Sequence, residues 1–243
     1  MKKILVIGDS CVDVFTYGKS ERLCPDAPVP VFVEEYSIKN GGMAANVFNN
    51  LKVLNPDSDF VTNEESIVKT RYIDSKTNHM FLRVDSGKET ISHCSTLQRI
   101  EWNQYAAVII SDYNKGFLSE EDIFFVCSQN KHVFLDTKKL LQTWYLKVPF
   151  IKINDNEFSK SKHLISSTDN IIITLGNKGC VYRGKHFPVE KVEVKDTVGA
   201  GDTFIAALAH EFVNTNDIEK AIMFANAQAT KAVQKKGVYV INE

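Results

Sequence analysis

Five short runs of continuous apolar residues recur along the chain, and each ends on a polar residue: Lys3–Asp9, Ala106–Asp112, His132–Asp136, Phe150–Asn154 and Asn170–Thr174. Continuous rather than alternating apolar character is what a strand buried on both faces needs, as in a parallel sheet covered by helices. Stretches with helical spacing lie between these runs. Ser119-x-x-Asp122 has the form of a helix start. Asn216-x-x-Glu219 reads as a capping box for a helix with the stripe Ile218, Ile222, Ala225 and Ala229, and Gly237 reads as its stop. The alternation predicts an α/β fold with a mainly parallel central sheet flanked by helices. Such a sheet collects Asp9, Asp112, Asp136, Asn154 and Thr174 on its carboxyl edge, where open α/β sheets bind ligands. Any one of them is equally well a turn-capping residue. Five together predict a polar rim.

Two extended blocks do not fit this pattern. One runs through Arg22 to Ile38, where prolines at 25, 28 and 30 exclude helix and suit an edge segment. The other pairs Lys69–Ile73 with Asn78–Val84 across a turn. They predict a small β-sheet standing off the main one, its strands at roughly residues 14–38 and 69–92. The 243 residues fit a single domain, 1–243. A net charge of −1 implies no broad attraction to nucleic acid or to a membrane surface. The first apolar run is too short for a signal peptide, which makes a cytoplasmic protein the expectation. The five cysteines form no C-x-x-C pair and read as reduced.

The stretch Asp196-Thr197-Val198-Gly199-Ala200-Gly201-Asp202-Thr203-Phe204 concentrates the chemistry. Phe204, Leu208 and Phe212 recur at helical spacing, so a helix is predicted from about Ala200. A glycine-rich turn at a helix start presents unpaired N–H groups, and with the helix dipole they favour an anion. Asp202 in that first turn suits a base beside a transferring phosphoryl group. Read alone, the same residues describe a capped helix after a tight turn. Gly41-Gly42-Met43-Ala44-Ala45-Asn46 likewise reads as a turn opening a core helix, or as a close approach to a ligand with Asn46 facing sugar hydroxyls. No G-x-x-x-x-G-K-[ST] phosphate loop and no zinc pattern occurs.

The nonamer as a whole resembles the C-terminal signature of the ribokinase-like (PfkB) carbohydrate kinases. Gly8-Asp9-x-x-x-Asp13-x-x-x-x-Gly18, Arg22-x-x-Pro25-x-Ala27-Pro28-Val29-Pro30, Lys69-Thr70-Arg71 and Ser111-Asp112-Tyr113-Asn114-Lys115-Gly116 are similar to the heptose-phosphate kinase subgroup of that family, which serves lipopolysaccharide precursor synthesis. The match covers nearly the whole chain. It implies an ATP-dependent kinase using Mg²⁺, and potassium in some members, with Asp202 as catalytic base and the backbone of Gly199, Ala200 and Gly201 as anion hole. On the sugar side it implies Asp13, Gly41, Gly42, Asn46, Lys69, Asp112 and Lys115. On the nucleotide side it implies Asn154, Glu157, Thr174, Gly176, Gly179, Asp196 and Asn226, with Glu157 holding Mg²⁺ through water. The small sheet, with strands at roughly 14–38 and 69–92, is implied to be a lid over the sugar and to pair with a second subunit in a homodimer.

Lys69, Arg71, Arg83 and Lys115 are candidates for a substrate phosphate, though each alone reads as a surface charge. The expected substrate is D-glycero-D-manno-heptose 7-phosphate, phosphorylated at the anomeric carbon. The alternatives are another sugar or nucleoside of the family, or a non-catalytic module that binds a sugar phosphate or nucleotide. The stretches 55–68 and 158–169 are short for the family, which predicts a trimmed sheet edge. No adenylyltransferase segment follows Gly237, so the kinase step alone is expected.

Overall fold

A computed structural model describes residues 2–88, 90–235, 237 and 239–241. The expected span 1–243 and the second lid block at 69–92 take in Met1, Glu89, Lys236, Val238, Asn242 and Glu243, which lie outside the described residues. The elements in chain order are β1 (Lys3–Gly8), β2 (Ser10–Leu23), β3 (Pro30–Met43), α1 (Ala44–Leu54), β4 (Asp59–Thr62), β5 (Ile67–Asp74), β6 (Met80–Gly87), β7 (Tyr105–Asp112), α2 (Glu120–Gln129), β8 (Val133–Thr137), β9 (Phe150–Asn154), α3 (Asp155–Ser161), β10 (Ile171–Thr174), β11 (Cys180–Tyr182), β12 (Lys185–Phe187), α4 (Ala200–Thr215) and α5 (Ile218–Ala232).

All five apolar runs are strands of one sheet, ordered β12-β11-β10-β9-β8-β7-β1-β4. It is parallel from β4 through β10 and antiparallel only at β11 and β12. Apolar cores cover both faces. One packs α4, α5 and α1 on Ile4, Val6, Ile109 and Phe134; the other packs α2 on Leu5, Ile7, Val108 and Ile110. Burial on both faces is why these strands carry no polar alternation. The two extended blocks form a second sheet, β3-β2-β5-β6, with the long β2–β3 ladder pairing Asp13 with Asn40 and Val12 with Gly41. Phe15, Tyr17 and Ile73 of this lid pack on Val198, directly before the glycine turn.

Three local expectations need correction. Gly41 and Gly42 finish strand β3 rather than forming a turn. Gly42 is required by close approach: a Cβ there would lie 2.0 Å from Asp13 Oδ2. Asn216 does not cap α5. It sits in the left-handed region (φ 54°) and closes α4, which asparagine tolerates, while Asp217 caps α5 by accepting from the N–H groups of Glu219 and Lys220. Helix α5 stops at Ala232, ahead of Gly237. Strand β4 forms the sheet edge, and residues 63–66 lead straight from it into the second sheet. Ser119 and Asp122 do form a reciprocal capping box on α2.

Candidate active site

Helix α4 begins where a left-handed Gly199 (φ 78°) turns the chain, and no side chain caps it. A residue with a Cβ would be strained there. Ala200 N makes one long contact, 3.4 Å, to Thr197 O, and Thr203 N closes onto Gly199 O at 2.9 Å. Among the described residues the amides of Gly199, Gly201 and Asp202 have no protein acceptor. An uncapped helix start with free donors is an anion site in waiting.

Asp202, only 6% exposed, stands in the first turn. Asn46 Nδ2 donates to its Oδ2 at 2.9 Å, and the Tyr113 hydroxyl donates to its Oδ1 at 3.0 Å. Burial, aided by the nearby Asp136 carboxylate, pushes its pKa up to about 6, against the hydrogen bonds from Asn46 and Tyr113 and the Lys152 charge. A base held near neutrality is well matched to taking a proton from a hydroxyl.

A cleft of about 590 Å³ opens in front of this turn. Asn154, Thr174, Gly176, Gly179, Gly199, Ala200, Gly201, Asp202 and Asn226 all line it, so the structure brings together residues spread over 73 positions of sequence. Asp136, Asn154 and Thr174 of the polar rim are among its walls. The Thr174–Gly179 segment is both hairpin turn and cleft wall, since β10 and β11 pair across it. Asn226 is buried rather than solvated, and its Nδ2 donates to Phe187 O at 3.1 Å.

Several expected residues are occupied by the protein itself. Asn46 uses its amide on Asp202, and its Oδ1 accepts from Asn50 at 3.1 Å, so it braces the base. Asp112 is fully buried and holds Lys139 and Thr137, which makes it a strut between β7 and β8. Asp196 accepts from Val198 N and Gly237 N, both at 3.0 Å, and shapes the turn from behind without lining the cleft. Glu157 spends one oxygen on the Asn154 N–H, in the α3 capping box, and the other on Lys138. Asp13 accepts from Arg71 at 2.5 Å, and Arg83 pairs with Asp85 at the surface, so each candidate arginine already has a carboxylate beside it. Lys69 and Lys115 have no carboxylate partner among the described residues.

The sequence reading missed three lysines. Lys152, 5% exposed, pairs with Asp136 at 2.6 Å, and a Cβ on Gly201 would lie 2.7 Å from its Nζ. Lys138 pairs with Glu157 and lines the same cleft. Lys139 ties down Asp112 at 2.9 Å. A lysine in or beside a strand reads as exposed; only carboxylates arriving from neighbouring strands make burial tolerable. The sole signal was the polar rim, whose aspartates needed counter-ions.

The fold is that of ribokinase-like proteins. The Thermotoga maritima ribokinase has the same fold, with a TM-score of 0.73 at 17% identity over 98% of this chain and 95% of that one. So does an Arabidopsis thaliana ribokinase solved with ribose and ATP, with a TM-score of 0.67 at 16% identity over 97% and 94%. Residues 119–243 match the family described as pfkB family carbohydrate kinase. The bifunctional protein HldE of Helicobacter pylori strain J99 is 32% identical over an alignment of 295 positions, covering 98% of this chain and 64% of that protein. The chain therefore belongs to the pfkB family of carbohydrate kinases. It spans 64% of that relative's length, and the aligned 295 positions exceed its own 243 residues, consistent with its shortened segments.

Proposed function

We propose that the chain, acting as one domain, is an ATP-dependent kinase for a sugar phosphate, with a heptose 7-phosphate phosphorylated at the anomeric hydroxyl as the best-supported substrate. The observation that carries the reading is the set of acceptor-free amides at the start of α4, beside the buried Asp202 and at the head of one cleft. The cleft suits a nucleotide: its volume of about 590 Å³ and the nearby cations of Lys138 and Lys152 match a polyanionic chain. Asp202 takes the proton of the sugar hydroxyl as its oxygen bonds to the γ-phosphorus and the bond to the ADP oxygen breaks. The amides of Gly199 to Gly201, with the ammonium of Lys152, steady charge on the phosphoryl in flight.

Among the described residues no cluster of three metal-ligating side chains exists. That fits a cation carried mainly by phosphates and water, as magnesium prefers. Asp136, whose Oδ1 has no hydrogen-bond partner, would hold it, and it would neutralise phosphate charge when bound. Lys69 reaches from the lid, with Met43 Sδ, the Tyr113 ring and the Cys11 thiol beside its ammonium and no ion pair among the described residues. An unpaired, half-buried cation there supports an anionic sugar. HldE is a two-activity protein by name, and only the part that this chain matches supports a kinase step. No helix among the described residues is long and apolar enough to cross a membrane, and a cytoplasmic location remains part of the proposal.

The deciding experiment measures ADP release over a panel of pentoses, hexoses, heptoses and nucleosides, each sugar offered with and without a terminal phosphate. Turnover concentrated on a heptose phosphate is expected. Turnover on an uncharged sugar or a nucleoside would make the chain another kinase of its family. Background rates throughout would leave a binding module.

A further inference from the structure

The run Ser111–Gly116 supplies a residue that the proposed mechanism has not yet used. Tyr113 follows the strand tip of β7, lines the cleft, and points its hydroxyl at Asp202 Oδ1, 3.0 Å away. Two ammonium groups approach its ring. Lys69 Nζ, from the lid, lies 5.5 Å from the ring centroid, and Lys138 Nζ, from the nucleotide side, lies 5.2 Å from it. The opposite oxygen of Asp202 is held by Asn46.

We propose that Tyr113 is a positioning residue for phosphoryl transfer, fixing the plane of the Asp202 carboxylate so that a lone pair of the base stays aimed at the attacking hydroxyl. This rests on Asp202 being the base. The torsion that turns a carboxylate about its own axis is broad and weakly restrained. Two donors on different oxygens remove that freedom, and each oxygen still keeps one acceptor site for substrate. Two cation–π contacts restrain the ring, which helps to hold the hydroxyl in place. Misplacement of a base by about 1 Å costs on the order of a hundredfold in rate, so orientation of this kind has kinetic weight.

The charged groups around the pair are Asp136, Lys138 and Lys152 from the nucleotide side and Lys69 from the lid; the Cys11 thiol at the start of β2, also nearby, is kept neutral because burial pushes it up to about 11. Burial and the carboxylates of Asp202 and Asp136 drive the phenol's pKa well above its usual 10. Tyr113 is therefore a standing donor, not a competing base. Its hydrogen bond favours the charged form of Asp202.

Tyr113→Phe keeps the ring and deletes only the oxygen. A fall in kcat of about tenfold or more is expected, with KM for sugar and ATP within about twofold. The acid limb of the kcat/KM profile should move to higher pH, because the base loses a donor. A matched sample carrying 3,5-difluorotyrosine at position 113, a more acidic phenol and stronger donor, should move that limb the other way. It also serves if the phenylalanine variant folds poorly. Asp202→Asn is run beside them. If Asp202→Asn retains near-normal turnover, the base assignment falls and this proposal with it. If Asp202→Asn is inactive while both tyrosine replacements leave kcat and the acid limb unmoved, positioning alone is refuted. A rise in KM with kcat intact would also overturn it, because Tyr113 would then be a ligand contact.

Discussion

Asp202 carries the most chemistry of any single side chain, and its environment makes a prediction with a definite sign. Its carboxyl is pushed up to about 6 by burial and by Asp136. The base works only when deprotonated, so kcat/KM should fall as pH drops through about 6 and level off above it. A pH–rate profile flat down to pH 4.5 would contradict the assignment. Asp202→Asn should fold, with the same thermal transition within a few degrees, and lose transfer by about three orders of magnitude or more.

Asn50 makes a second residue-scale case. It is wholly buried, and its amide reaches Asn46 O, Asn46 Oδ1 and Tyr239 O while its Oδ1 accepts from Thr203 Oγ1 and Ile241 N. Asn50→Leu would orphan several of these groups at once. Denaturant titration should report a loss of about 2–4 kcal/mol. The sequence marked Asn46 as a site residue and said nothing of Asn50, because a polar residue on an apolar helix face gives no sign of what will meet it.

Among elements, the β2–β3 hairpin shows how a ladder places a functional group. Register puts Cys11 opposite Gly42 and Asp13 opposite Asn40, and the Asp13 carboxylate then leans over Gly42. The backbone at Gly42 is fixed by its ladder pairing, so a methyl group can be accepted only if Asp13 swings away and breaks its pair with Arg71. Gly42→Ala should raise the sugar KM by about tenfold while leaving the ATP KM unchanged, and lower the melting temperature by several degrees. Equal KM values in mutant and parent would remove Asp13 from the sugar side. The helix joints were only partly legible. Ser119 with Asp122 is a local signal and was read correctly. Asn216 and Asp217 both suit a cap, and only the path of the chain assigns the first to the end of α4 and the second to the start of α5.

For the whole molecule, the lid is the least covered part. Val33, Tyr36 and Ile38 of β3 and Met80, Phe81, Leu82 and Val84 of β6 are all exposed, a large apolar area for a chain of this size. We propose that a second copy covers it, as the family resemblance implies. Sedimentation should show a dimer, and Leu82→Glu should shift it toward monomer at micromolar concentration. A parent chain that sediments as a monomer at high concentration would exclude pairing through this face.

Sequence by itself determined the parallel sheet, because strands buried on both faces must be apolar throughout, and it determined the glycine turn, because a left-handed residue ahead of an uncapped helix admits little else. It also marked the carboxyl edge by its polar strand ends. Tertiary structure alone decided which of those polar groups remain open. Asp112, Asp196, Asn46 and Glu157 are engaged by partners within the protein, several of them far off in sequence, whereas Lys138, Lys152 and Tyr113 are carried into the cleft by neighbouring strands. Whether a polar side chain is spent inside the protein or left for a ligand depends on what packs against it, and that is a property of three-dimensional contact rather than of local pattern.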